Sequence, residues 1–267
     1  MELKYFDVHS HISFKDYDED RAAVVERMRE AGVGTITVGV DIQTSIEAVS
    51  FAEKHEGFYA TIGLHPNNTP TEGFDAKLYK KLLVSEKVVG VGECGLDYYR
   101  IESNVAKEKK RQLLEFEKQM AFAIEHNKPL MIHCRPTKGT MDAYLDLVDL
   151  LERKLSTPGV DMLGNVHFFV GDVGVARRLY AIGFTTSFTG VLTFTHDYDE
   201  VVRFVPLDML LTETDSPYAA PAPFRGRRNE SSYVKYVVEA IAKIRGEGEE
   251  SVRAHILENA RRVFRLG

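Results

Sequence analysis

The chain has no tryptophan, only two cysteines and nine prolines in 267 residues. Cys94 and Cys134 are too few for a disulfide framework and suit a reducing compartment. Neither belongs to a Cys-x-x-Cys pair, which excludes a zinc or redox motif of that kind, and both read as small buried residues. No apolar run approaches the ~20 residues that span a bilayer. The opening segment, Met1 to Asp7, lacks a basic stretch followed by an apolar one. These absences lead us to expect a soluble, cytoplasmic protein with no membrane association. Positive charge is also in deficit, 34 Lys and Arg against 40 Asp and Glu, for a net −6. That excludes the global basic field of a protein that coats nucleic acid, but not an enzyme that grips a few phosphates locally. No proline-, glycine- or serine-rich linker interrupts the chain, so residues 1–267 are expected to form a single domain.

What is present is an ordinary globular composition, 44% hydrophobic and 28% charged, arranged as alternating short β-rich runs and longer amphipathic stretches. Strands are expected at Tyr5–His9, Thr35–Val40, Phe58–Ile62, Val88–Glu93, Pro129–His133, Met162–His167, Phe184–Phe188 and Met209–Glu213. Between them apolar residues recur at helical spacing: Ala22, Val25 and Met28; Leu113, Phe116, Met120 and Ile124; Val234, Val237, Val238 and Ile241. Gly32, Gly57 and Gly183 stand where helices stop before a strand. Eight βα units in about 250 residues predict a closed (β/α)8 TIM barrel of the α/β class. An open doubly wound sheet would usually carry a glycine-rich phosphate loop after its first strand, and none is present.

Barrel active sites form at the C-terminal ends of the strands. Strand one ends in Asp7-Val8-His9-Ser10-His11, strand three runs into His65, and strand four ends in Gly92-Glu93-Cys94-Gly95. Strand five ends in His133-Cys134-Arg135, strand six in His167, and strand eight in Glu213-Thr214-Asp215-Ser216-Pro217. Five of the nine histidines fall on this one rim. Alternate residues of a strand share a face, so His9 and His11 can reach one ion. Taken singly, each residue has a plainer explanation: surface histidines for the pair, hydrogen-bonded core histidines for His133 and His167, a turn residue for Asp215. Glu93 resists one, because an unpaired buried carboxylate is costly. The coincidence of His9, His11, Glu93, His133, His167 and Asp215 at the ends of separate strands points to metal ligation.

Four imidazoles and two carboxylates suffice for two divalent cations, with Glu93 as the bridge. Such a pair polarises a phosphoryl oxygen, activates water and stabilises the leaving oxygen. Asp215 would touch one ion and serve as general base. Glu93 and His133 stand where a carbamylated lysine would otherwise be sought. Arg100, Arg135 and Lys138 follow strands four and five, and Arg225, Arg227 and Arg228 follow strand eight. Arginine forks suit phosphate, with Arg135 the first choice and Arg228 a further candidate, although solvated surface charge explains any one of them equally well. His65 is expected either to contact substrate or to anchor the loop before Pro66.

These residues closely resemble the TatD-type metal-dependent hydrolases, deoxyribonucleases of the amidohydrolase-like superfamily. The resemblance spans nearly the whole chain. It rests on Asp7–His11, Tyr59–Pro66, Gly92–Tyr98, Pro129–Arg135, Ser187–Gly190 and Glu213–Tyr218, closed by Arg225–Glu230. It implies the same six metal ligands and divalent-metal-dependent hydrolysis of DNA phosphodiesters, usually with Mg²⁺ and often from a 3′ end. Imidazole-rich ligation itself suits Zn²⁺, Mn²⁺ or Fe²⁺ as the bound ion. Some positions depart from the family pattern. His167-Phe168-Phe169-Val170-Gly171 replaces the usual His-Cys-Phe-Ser-Gly, Asn67 replaces a second histidine, and Ala219 and Phe224 replace Leu and His. His167 is retained, and its altered neighbours can reshape the pocket wall. The expected substrate is therefore DNA, single-stranded or at ends, with no obligate protein partner. Hydrolysis of a small ester, lactone or aminoacyl ester is the enzymatic alternative, and a metal-stabilised binding protein the non-enzymatic one.

Overall fold

The computed structural model describes residues 2–68 and 73–267. Eight parallel strands lie in sequence order: β1 (Tyr5–Ser10), β2 (Val33–Val38), β3 (Phe58–Ile62), β4 (Val88–Asp97), β5 (Leu130–Arg135), β6 (Gly164–Val166), β7 (Thr185–Phe188) and β8 (Leu210–Thr212). The sheet returns on itself where Ser10 bridges Ser216, His11 N–H donates to the Ser216 carbonyl at 2.8 Å, and Asp215 N–H donates to the His9 carbonyl at 3.0 Å. The fold is thus the expected (β/α)8 barrel, and its closing seam runs through three of the candidate ligands, His9, His11 and Asp215. No helix among the described residues is long and apolar enough to cross a membrane.

Helices α1 (Arg21–Ala31), α2 (Ile42–Ala52), α3 (Ala76–Lys80), α4 (Val105–Glu125), α5 (Asp142–Leu155), α6 (Val173–Ala181), α7 (Asp199–Phe204) and α8 (Val234–Arg245) follow the strands in turn. Their ends obey local chemistry. Asp41 and Thr44 form a reciprocal capping box at α2, and Asp172 accepts from Val175 N–H at α6. An additional helix, α9 (Glu249–Phe264), sends Leu257, Val263 and Phe264 into a core shared with Phe6, Val8, Ile36, Met131 and Leu211 of four strands.

Two features place the site. The first is β4, which does not stop at Glu93 as the sequence pattern suggests but continues to Asp97, with its register on β5 slipping between Val91 and Cys94. Gly92 (φ +154°) and Gly95 (φ +137°) permit this. A Cβ there would lie 2.2 Å from the Met131 carbonyl oxygen and 2.1 Å from that of His133, so any other residue would push the two strands apart.

The second feature is the inner face of α4, which carries two buried glutamines two turns apart. Gln119 accepts from Leu64 N–H at 2.8 Å and donates to Leu64 C=O at 2.9 Å. Gln112 makes the same paired contact with the backbone of Asp97, at 2.8 and 2.9 Å. Each carboxamide satisfies buried backbone N–H and C=O groups on that side of the chain, as buried backbone requires. Phe116 and Met120, on the same helix, are buried among apolar neighbours. One helix therefore packs the barrel and pins the chain beside His65 and at Asp97.

Candidate metal centre

Glu93 lies at the centre of the barrel mouth, and its two oxygens face different partners. Oε2 is 3.5 Å from His9 Nε2 and 3.7 Å from His11 Nε2. Oε1 is 2.8 Å from His133 Nδ1, 3.0 Å from His167 Nε2 and 3.3 Å from His65 Nε2. Asp215 Oδ1 adds to the first group, 3.5 Å from His11 Nε2 and 3.8 Å from His9 Nε2. The two strand-one imidazoles approach each other at 3.2 Å through their Nε2 atoms, as β1 alternation requires. All six sequence-predicted ligands meet here.

The outer ring nitrogens decide which nitrogen each histidine presents. His11 Nδ1 donates to the Val38 carbonyl at 3.0 Å, leaving the Nε2 lone pair for the centre. His167 Nδ1 contacts Glu213 Oε1 at 3.3 Å, with the same consequence. His133 is reversed: Nε2 donates to Asp97 Oδ2 at 3.2 Å, and Nδ1 faces inward. A carboxylate or carbonyl behind the ring is the usual device for orienting a metal-ligating histidine. His65 differs. Its Nδ1 accepts from Asn67 N–H at 3.1 Å, so its proton sits on Nε2 and points at Glu93. His65 is therefore built as a donor to the central carboxylate rather than as a ligand.

The donor set fits divalent ions. Ligand atoms about 2.0–2.2 Å from a common ion lie roughly 3.0–3.6 Å from one another in octahedral or tetrahedral arrangements. The triads His9–His11–Glu93 and His9–His167–Asp215 each offer atoms within 4.8 Å of one another. His9 Nδ1 is buried with no hydrogen-bond partner among the described residues, so no group behind that ring fixes its tautomer as Val38 does for His11 and Asp97 for His133. Imidazole with carboxylate suits Zn²⁺, Mn²⁺ or Fe²⁺ by ligand softness, while two carboxylates also admit Mg²⁺.

Electrostatics bind these groups into one unit. Burial alone would raise the Glu93 carboxyl, but the surrounding His65, His167 and His133 hold it well below its usual range. Burial would lower His167, yet Glu93 and Glu213 outweigh it and push this ring well above the usual histidine value. His11 and His133 are likewise raised, against burial, by Asp215 with Glu93 and by Asp97 with Glu93. His9 goes the other way. It is fully buried and stacked on His167 at 3.8 Å, so burial and a like-charged neighbour both lower it. Asp97 is held at about 2, where His133 and Asn67 overcome its burial.

A cavity of about 720 Å³ opens above the cluster, lined by His65, Arg135, Arg100 and Tyr218 among others. Arg135 reaches it with its guanidinium 3.9 Å from the Tyr99 ring. Arg228, expected to serve substrate, stands outside this lining. Its guanidinium pairs with Asp20 at 2.6 Å and covers the Tyr17 ring at 4.5 Å, tying the loop after β8 to the segment before α1. Cys134 contributes to the cavity wall, whereas Cys94 is buried against the Val91 and Met131 carbonyls; burial pushes both thiols up, away from reactivity. Sequence reasoning assigned no role to Asp97, Glu213 or Asn67, although Asn67 donates to Asp97 at 2.9 Å. An acidic residue four positions after Glu93, separated from it by a glycine, was the available signal for Asp97.

Comparison with known proteins agrees with this geometry. The TatD-related DNase family model matches residues 6–265. The uncharacterized metal-dependent hydrolase YabD of Bacillus subtilis (strain 168) is 39% identical over 98% of this chain and 99% of its own length. The 3′-5′ ssDNA/RNA exonuclease TatD of Pantoea vagans is 31% identical over 98% and 99%. The crystal structure of YjjV, a TatD homologue from Escherichia coli K12, superposes with a TM-score of 0.88 at 25% identity over the full length of both chains. The chain therefore belongs to the TatD-related DNase family, as an enzyme of the metal-dependent hydrolase class.

Proposed function

From its place in the TatD-related DNase family, we propose that this chain hydrolyses phosphodiester bonds of DNA, acting as an exonuclease at the 3′ end of single strands. His9, His11, Glu93, His133, His167 and Asp215 would hold two divalent ions, with Mg²⁺ as the working ion and Zn²⁺, Mn²⁺ or Fe²⁺ as possible occupants. The observation that carries this reading is Glu93, whose two oxygens each face a separate set of imidazoles, the disposition of a bridge. When bound, the ions would supply the charge that activates water and stabilises the leaving oxygen.

The remaining roles belong to the chain. Asp215 Oδ1, at the rim of the first group, takes the proton of the attacking water. His65 Nε2–H holds Glu93 and stands on the cavity wall where a substrate oxygen would lie. Arg135, with its plane fixed against Tyr99, meets a phosphate with its free N–H edge. A strand end needs only a few such contacts, which is compatible with a net charge of −6. The name of the Pantoea relative supports the polarity and the single-stranded substrate, and extends the candidate substrates to RNA.

The test uses metal-stripped protein, 3′- and 5′-labelled single-stranded DNA, and Mg²⁺, Mn²⁺ or Zn²⁺ added separately, with Asp215→Asn alongside. Shortening from the 3′ end that needs the ion and is lost in the variant is the expected result. An absence of cleavage at confirmed metal occupancy would overturn the DNA reading in favour of a small ester or lactone.

A further inference from the structure

The cavity above the cluster has two unlike walls. Arg100 and Arg135 bring positive charge from the ends of β4 and β5. Phe168, Val170, Tyr198 and Tyr218 bring rings and a branched side chain from the segments after β6, β7 and β8.

Phe168 is the centre of the second wall. Its φ of +45° is left-handed, a conformation that bulky residues rarely adopt. The surroundings impose it. Phe168 N–H donates to the buried Glu213 Oε1 at 2.8 Å, and Phe169 N–H donates to the Ser187 carbonyl at 2.9 Å. Phe169 is buried beside Tyr144 and Phe188, and Val170 N–H is held by the Tyr144 hydroxyl at 3.0 Å. The backbone is thus fixed on both sides of Phe168, whose own ring is left half-buried on the cavity wall.

Two of the departures from the family pattern fall on this wall. Position 169, in the core, keeps the family's Phe, while the two cavity-lining positions, 168 and 170, carry Phe and Val in place of Cys and Ser. A packing requirement would act on the core residue. Phe168 and Val170, by contrast, face whatever occupies the cavity.

We propose that Phe168, Val170 and Tyr198 form a nucleobase site that takes the unpaired terminal base of the strand whose scissile phosphate lies at the cluster. This rests on the nuclease reading and deepens it. A base offers a flat apolar face that stacks on an aromatic ring whatever its sequence, whereas the sugar–phosphate chain is polar and charged. The aromatic residues therefore select the base, and Arg100 and Arg135 of the same cavity take the phosphates that follow. A paired base cannot enter such a site without leaving its partner, which accounts for action at single-stranded ends.

The test compares two 5′-labelled single strands that differ only in a terminal nucleotide with or without its base. Metal-loaded wild type is expected to show a kcat/KM about tenfold higher for the base-bearing end, the scale of one stacked base. Phe168→Cys with Val170→Ser, restoring the family pattern, is expected to bring that ratio to about two, and Tyr198→Ala to lower it in the same direction. Each ratio is internal to one preparation, so partial loss of folded protein cancels. In a second readout, a terminal 2-aminopurine should be quenched on binding metal-stripped wild type but not the double variant. Equal cleavage of both ends by wild type, or an unchanged ratio in the double variant, overturns this inference alone. Cleavage of neither strand by the metal-loaded protein overturns the nuclease reading and this inference with it.

Discussion

His133 Nε2 donates to Asp97 Oδ2 across 3.2 Å, and that contact leaves Nδ1 of the ring facing Glu93. Partners behind a metal-ligating histidine typically govern 10–100-fold in metal affinity. Asp97→Ala is therefore expected to weaken the binding of one divalent ion by about tenfold or more. Asp97→Asn, which keeps an acceptor for Nε2–H, should lose less. Chelator-competition titration measures both, and an unaltered affinity in Asp97→Ala would show that the ring is oriented by other means.

The tautomers of His65 and His133 make a second expectation. Asn67 N–H donates to His65 Nδ1, so His65 reaches Glu93 with a proton and not a lone pair. His65→Gln retains a donor and is expected to keep its full metal content, with turnover reduced. His133→Ala removes an inward lone pair and should lose bound metal. Metal analysis after dialysis separates the two, and equal depletion would make His65 a ligand.

The metal-facing residues were legible because each stands at or just past a strand end, where alternation and barrel geometry fix direction from sequence alone. Asp97 was not, because apolar content ends strand four at Glu93, and only the close approach that Gly92 and Gly95 allow carries the strand onward. Gln112 and Gln119 carry no signal in the apolar spacing of their helix, because what they serve is the backbones of Asp97 and Leu64. Arg228 reads as a rim cation for the opposite reason. Its partner, Asp20, lies more than two hundred positions away, and no local pattern predicts their meeting. Helices and strands follow from short-range periodicity, whereas these tethers are long-range pairings.

Asp7 ties stability to pH. It is wholly buried and accepts from Thr214 N–H at 2.9 Å, from the Thr214 hydroxyl and from His9 N–H. Burial outweighs these contacts and pushes its carboxyl up to about 7 from 3.8. Between those values the folded protein holds a proton that the unfolded chain has released, so stability from this group falls as pH rises from about 4 to 7. The effect is at most about 4 kcal/mol. Asp7→Asn cannot lose that proton. In metal-stripped protein its melting temperature, relative to wild type, should climb by several degrees between pH 5 and pH 8. A constant difference across that range would contradict the assignment.

Arg135 and Arg228 carry the same charge on the same rim but have different partners. Arg135 lies over the Tyr99 ring and lines the cavity, and no carboxylate pairs with it among the described residues. Its charge is available to a phosphate, so Arg135→Ala should raise KM for a single strand several-fold and reduce the salt dependence of binding by about one phosphate contact. Arg228 is already neutralised by Asp20 and also donates to the Asp16 carbonyl at 2.8 Å. Arg228→Ala should leave KM and its salt dependence near wild type while loosening the loop after β8 from the segment before α1. A partly exposed ion pair contributes about 0–1 kcal/mol, so the stability loss should be small. KM measured at several salt concentrations distinguishes the two arginines. A change in salt dependence for Arg228→Ala equal to that for Arg135→Ala would mean that Asp20 releases its partner to the substrate.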